Sequence, residues 1–267
     1  MRAWWAAVVL SCGSAVWAAA PPPTLQMMMT PSAQRTALYQ GYVEVSRMLD
    51  SGQSDAALSK LKGLEKSDPS NALTSYLRAY AHFGASEYEK ALASIRAGNA
   101  RPYLVTYLDS KGGLSSSALP HMQIMRALGR GLVSYAAGLP ARERIQALRA
   151  LSTMASKTLT GRPFIIITSL VGMALHRMVD EQLGSAYYEA GDSKAAAAVQ
   201  DRQNRLERLK TMLQAAGEQQ EQSADAAALK EALAQGKPLP RDALVRHELQ
   251  EERLVRDALK ATGFLPG

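Results

Sequence analysis

Residues 161–192, GRPFIIITSLVGMALHRMVDEQLGSAYYEAGD, hold the longest unbroken helical pattern and the most apolar run of the chain beyond its N-terminus. Pro163 to Leu175 is apolar on nearly every side, which predicts a helix buried between neighbours, and His176 to Ala190 continues it with one side open to water. The twelve residues Phe164 to Leu175 are too few to span a bilayer, which takes about 20, and Thr168 and Ser169 interrupt them. This stretch therefore reads as the spine of a helical fold.

Helical periodicity extends outward from it over nearly the whole chain. The spacing predicts helices at about 33–50, 54–66, 70–84, 87–98, 102–109, 117–137, 140–158, 163–190, 193–216, 225–235 and 240–261. Pro69, Pro102, Pro120, Pro140, Pro163, Pro238 and Pro240 all fall at the boundaries, where several open a helix and the missing N–H costs least. No run alternates with period two, so the expected class is all-α.

Residues 1–18 read as a secretory signal peptide: Arg2, an apolar stretch from Ala3 to Trp17, and Val16-Trp17-Ala18 before the cut. Val9-Leu10-Ser11-Cys12 is similar to a bacterial lipobox, so lipidation at Cys12 is the alternative. Cleavage after Ala18 removes the single cysteine and all three tryptophans, leaving an exported chain, periplasmic or secreted, that must be held by its core rather than by disulfides. Residues 19–32, with Pro21-Pro22-Pro23, Met27-Met28-Met29 and Pro31, read as a disordered leader. Thioethers select Cu(I), but no His or Cys accompanies these methionines, so no cofactor or metal is expected.

An internal repeat lies near the start. Ser54-Asp-Ala-Ala57-Leu-Ser-Lys-Leu61-Lys aligns with Tyr88-Glu-Lys-Ala91-Leu-Ala-Ser-Ile95-Arg at an offset of 34 residues. With Gly52 at the turn and Asp68-Pro69-Ser70-Asn71 between the units, this pattern resembles a tetratricopeptide repeat. The resemblance implies small residues, here Ala57, Ala79 and Ala91, where paired helices touch. The second helices match well. The first helices carry Gly41, Glu44-Val45, Met48 and Ser75, Arg78-Ala79, His82 where the family shows Trp, Leu-Gly and Tyr. A third match, Leu183-Gly184-x-x-Tyr187-x-x-x-Gly191-Asp192-x-x-x-Ala196, falls inside the opening stretch, with Asp180 in place of the family's Trp. The Leu170-Val171-Gly172-x-Ala174 stretch also resembles exported helical proteins, which implies no activity.

The architecture expected is a stack of antiparallel helical hairpins, a tetratricopeptide-like solenoid with longer C-terminal helices. Its parts are repeats at 33–109, a helical-hairpin domain at 117–216 hinged at Gly138-Leu139-Pro140, and a C-terminal helical extension at 218–267. Asp109 to Ser117 and Glu218 to Ser223 read as linkers. Val199, Leu206, Leu209 and Leu213 form a short coiled-coil-like seam, and Glu252 and Arg256 a favourable pair four residues apart.

Ser169, His176 and Asp180 share one face of the central helix, a tempting nucleophilic triad. Seven residues of helix place Ser169 roughly 10 Å along the axis from His176, against the roughly 3 Å that proton transfer needs. A polar stripe on a buried helix is the expected role. His82, His121, His176 and His247 stand apart, with no H-x3-H pair, and Gly129-Arg130-Gly131 lacks the residues of a phosphate loop. Carboxylate pairs for glycoside cleavage stay open, because any two acids can meet in a fold.

The chain carries a net charge of +7, concentrated between Arg101 and Val179, where ten Lys or Arg face two acids. Little aromatic residue is interleaved there, which with the export signal argues against nucleic acid. Arg126, Arg130, Arg142 and Arg149 are the candidate binding residues of this basic face. The reading is a non-catalytic exported helical-repeat protein that binds a protein partner or an anionic envelope component. A cell-envelope hydrolase acting on cell-wall polymer and a structural assembly factor of the envelope are the alternatives.

Overall fold

A computed structural model of the chain describes residues 32–107 and 114–266, together with Thr24, Leu25, Met27 and Thr30. The expected signal peptide, the Cys12 lipidation signal and most of the leader lie outside the described residues. Among the described residues these helices follow in order: α1 Ala33–Asp50, α2 Ser54–Ser67, α3 Ala72–Gly84, α4 Tyr88–Asn99, α5 Leu114–Ala137, α6 Ala141–Leu159, α7 Ile166–Glu189, α8 Ser193–Glu221, α9 Ala224–Ala234 and α10 Arg241–Ala261. The described residues form an all-α fold with no strand. No helix among them is long and apolar enough to cross a membrane.

The turns show why the chain folds into hairpins. Helix α1 ends at Asp50 and α2 begins at Ser54; α3 ends at Gly84 and α4 begins at Tyr88, so both boundaries keep the 34-residue offset. Gly52 and Ser86 occupy the same left-handed position, with φ of 75° and 60°. Just after each, Gln53 N–H donates to the Met48 carbonyl at 2.8 Å and Glu87 N–H to the His82 carbonyl at 2.9 Å. This six-residue closure satisfies the last carbonyls of a helix and turns the chain back. Gly191 repeats it between α7 and α8, with φ of 74° and Asp192 N–H on the Tyr187 carbonyl at 2.9 Å. The Asp192 side chain then accepts from Ala195 N–H and caps α8.

The odd-numbered helices stack in series, α1 on α3, α3 on α5 and α5 on α7, while α2 packs on α3, α4 on α6 and α6 on α7. Ala57, Ala79, Ala91, Leu61 and Ile95 are all fully buried in this stack. One apolar cluster runs from Leu25 to Val199, so Leu25, within the stretch expected to be disordered, is anchored in the core. A second cluster joins Leu159 and Phe164 to the α8 seam of Leu206, Leu209 and Leu213, and to Val255, Ala258 and Leu259 of α10. Helices α6 and α7 approach each other closely at Gly172. A Cβ on Gly172 would stand 2.4 Å from the Leu159 nitrogen, so only glycine fits.

Three local expectations need correction. Residues 103–107, expected within a helix, are extended. Tyr103 and Val105 bridge to Asn71 and Arg162 as isolated parallel β-bridges. The aromatic and β-branched run Tyr-Leu-Val-Thr-Tyr favours this conformation, and the expected remainder of that helix lies outside the described residues. Asn71 clamps the segment, donating to the Val105 carbonyl at 2.8 Å and to Asp68 at 2.9 Å, and accepting from Val105 and Leu73 N–H at 3.0 and 3.1 Å. Helix α5 begins at Leu114, before its expected start, so Pro120 lies inside it. Helix α8 continues to Glu221 through the supposed second linker, because Gln220 is buried and donates to the His247 carbonyl at 2.9 Å.

Candidate functional site

Helix α6 starts after the Gly138-Leu139-Pro140 hinge and turns Arg142, Gln146, Arg149 and Thr153 to solvent at four- and three-residue steps. Against it lies α4. Asn99, in the last turn of α4, donates to the Ala150 carbonyl at 2.8 Å and accepts from the Tyr76 hydroxyl at 2.8 Å, which bolts the two helices together. Between them is a cleft of about 410 Å³ lined by Arg96, Asn99, Gln146, Arg149, Ala150 and Thr153. A second cleft, of about 250 Å³, opens between α6 and the α7–α8 turn. Arg149, Ser152 and Thr153 form one wall, Tyr187, Leu183 and Val199 the floor, and Arg202 the far side. Arg149 and Thr153 line both clefts, which therefore adjoin along α6 as a trough with these two side chains between its halves. Neither lining contains a carboxylate.

The four arginines singled out from the sequence are all exposed. None of them makes an ion pair among the described residues, whereas Arg101 pairs with Glu65, Arg144 with Glu189 and Arg162 with Glu252. The fold divides the four. Arg142 and Arg149 share the α6 face, and Arg149 lies in the trough; Arg126 and Arg130 stand on the exposed stripe of α5 and line neither cleft. Arg96 and Arg202, which join Arg149, were missed because they lie outside the basic middle of the sequence. Arg96 carried one signal, its alignment with Lys62 in the 34-residue repeat. Arg202 carried none, since it reaches the trough only through the α7–α8 turn.

The polar face of α7 is buried. His176 and Asp180 are closed to solvent, and Ser169 is fully buried with its hydroxyl unpartnered. His176 meets a different serine: its Nε2 lies 3.0 Å from Ser156 Oγ on α6. Its Nδ1 is 3.6 Å from Asp180 Oδ2, an ion-pair distance rather than a hydrogen bond. Arg202 of α8 grips both Asp180 oxygens, through Nε at 2.9 Å and Nη2 at 2.5 Å. Burial alone would raise the Asp180 carboxyl, but His176 and Arg202 outweigh it and hold the group below the usual carboxylate range. The Phe264 ring closes this side, 6.5 Å from the His176 ring and under the Arg205 guanidinium. The row Ser156–His176–Asp180–Arg202 thus ties α6, α7 and α8 together, and only Arg202 reaches a cleft wall.

Three acids of α10 are also buried: Glu248, Glu251 and Glu252. Glu251 accepts Ile166 N–H at 2.8 Å and so caps α7, with burial pushing its carboxyl up. Glu252 pairs with Arg256 at 3.0 Å and Arg162 at 3.6 Å. Glu251 borders a cleft of about 260 Å³ with His247, Glu221 and Gln220. Among the described residues no group of three or more His, Cys, Asp or Glu is placed to hold a metal ion. No family model matches this chain, and no curated protein or solved structure matches it either.

Proposed function

We propose that this chain is an exported helical-hairpin repeat protein of tetratricopeptide type whose trough across α4, α6 and α8 binds an acidic segment of another protein. The observation that carries the reading is Arg149, which lines both clefts of a trough free of carboxylates and has no ion pair among the described residues. Cationic side chains on a fixed helical wall attract an anionic partner and set its register. The two clefts, at about 410 and 250 Å³, lie open to solvent rather than enclosing a ligand on most sides, which suits the side chains of an extended chain. The shared hairpin turns and the buried Ala57 and Ala91 support the tetratricopeptide resemblance, and the Ala3 to Trp17 stretch supports export.

Equilibrium binding of a labelled glutamate-rich peptide to the full chain, at low and high salt, tests the proposal. Binding that weakens with salt, and weakens further in Arg149→Ala, is expected. No binding at low salt, or binding equally strong to a lysine-rich peptide, would overturn it. A zone of clearing on cell-wall material would overturn the non-catalytic part and favour the hydrolase alternative. The mass of the protein recovered from the cell envelope distinguishes cleavage after Ala18 from lipidation at Cys12.

A further inference from the structure

We infer that the cleft between α6 and α8 is a subsite for a carboxylate side chain flanked by an aliphatic one, with Arg202 as its oriented donor and Arg149 as its net charge. This rests on the function proposed above and assigns the chemistry that the partner must present at one position.

The two arginines differ in kind. Arg149 is exposed, without an ion pair among the described residues, and contributes a full positive charge. Arg202 does not, because Asp180 lies fully buried beneath it and neutralises it. Arg202 gains orientation instead. A guanidinium carries five N–H donors in a rigid plane, and the hydrogen bonds to Asp180 use Nε and one position on Nη2. The remaining donors are held in the cleft wall by a carboxylate that cannot move, since Asp180 also faces His176, which is fixed by Ser156. Asp180 is therefore a positioning residue: it acts on a bound anion only through Arg202. Such preorganisation suits a carboxylate, which takes two parallel N–H donors.

The rest of the lining is apolar or hydroxylic. Leu183 and Val199 are buried at the floor, and Ala195 and Ala198 open the α8 wall because they carry no more than a methyl group. That floor leaves room beside the carboxylate for one aliphatic side chain, which an uninterrupted row of charges would leave unfilled. A peptide in which acidic and aliphatic residues alternate fits this chemistry better than a uniformly anionic polymer.

The test uses the full-length chain and three labelled twelve-residue peptides, alternating Glu-Leu, Glu-Gly and Lys-Leu, followed by fluorescence anisotropy over a salt series. Glu-Leu is expected to bind about tenfold tighter than Glu-Gly, in keeping with partial burial of leucine. Arg202→Lys keeps the charge and loses the paired donors, so it should weaken Glu-Leu about tenfold with an unchanged salt slope. Arg149→Ala should weaken binding and flatten the slope. A merely structural Arg202 would lower the unfolding midpoint of Arg202→Lys but leave the affinity of the folded variant unchanged. Equal binding of Glu-Leu and Glu-Gly, with Arg202→Lys behaving as wild type while Arg149→Ala still weakens both, would overturn the subsite and leave the trough standing. Failure of both acidic peptides to bind better than Lys-Leu would overturn the trough as well. The comparison of peptides on the wild-type chain needs no variant, so it stands even where a substitution disturbs folding.

Discussion

A Gly172→Ala substitution would place a methyl group 2.4 Å from the Leu159 nitrogen and 2.5 Å from its Cα. Both are backbone atoms, so no side-chain rotation relieves the overlap. Helices α6 and α7 must separate by about 1 Å before the contact becomes ordinary. That separation loosens the most extensive helix pair in the fold and the Ser156–His176 contact across it. Overpacking in a core costs about 1–3 kcal/mol, and the upper end applies where backbone must yield. The better helix propensity of alanine returns about 1 kcal/mol, which leaves a net loss of about 2 kcal/mol. Gly63→Ala is the matched control. Gly63 is exposed on α2 and a methyl group there would meet nothing within 4 Å, so alanine should stabilise by about 0.5–1 kcal/mol. Urea denaturation followed by far-ultraviolet circular dichroism measures both. A Gly172→Ala midpoint at or above that of the wild type, with Gly63→Ala behaving as expected, would refute the packing of α6 on α7.

Two further outcomes follow from buried polar groups. His121 is fully buried, with Nδ1 2.9 Å from Ser46 and Nε2 unpartnered, and burial lowers its pKa to about 4. The folded state favours the neutral ring, so this contribution is complete above about pH 6.5 and is lost as pH falls towards 4, by about 3 kcal/mol in all. The stability of wild type relative to His121→Leu should fall by that amount over the range; a difference independent of pH would contradict it. Asn71→Ala removes all four hydrogen bonds of the clamp on residues 103–107 and leaves buried Val105 groups unpaired. A loss of about 2–4 kcal/mol is expected, with faster amide exchange at Val105, and a loss below about 1 kcal/mol would show that the clamp is redundant.

The sequence carried the fold through periodicity and turn chemistry, because both are local. Gly52, Gly191 and the 34-residue offset mark real turns, and the α8 seam of Val199, Leu206, Leu209 and Leu213 is buried as its spacing predicts. The extended segment at 103–107 was hidden because its partners, Asn71 and Arg162, lie far away in sequence, and local spacing cannot reveal a backbone paired at such range. The candidate site was legible only in part. Charge counting found Arg149, and could not show that α5 carries Arg126 and Arg130 while α6 carries Arg142 and Arg149. Arg96 and Arg202 join Arg149 only through the packing of α4 on α6 and the return of the chain at Gly191. Axial rise along α7 correctly separated Ser169 from His176, yet could not show that Ser156, from the neighbouring helix, stands at hydrogen-bond distance.

Binding is proposed to reside in the trough rather than in basic charge at large. Two charge reversals separate these ideas: Arg96→Glu with Arg149→Glu in the trough, and Arg126→Glu with Arg130→Glu on the α5 stripe. Both change the net charge equally, so long-range attraction falls by the same amount in each. The dissociation constant of the Glu-Leu peptide should rise at least about tenfold in the trough variant, with a flattened salt slope, and change about threefold or less in the stripe variant. Equal weakening in the two, or loss of binding in the stripe variant alone, would contradict the account.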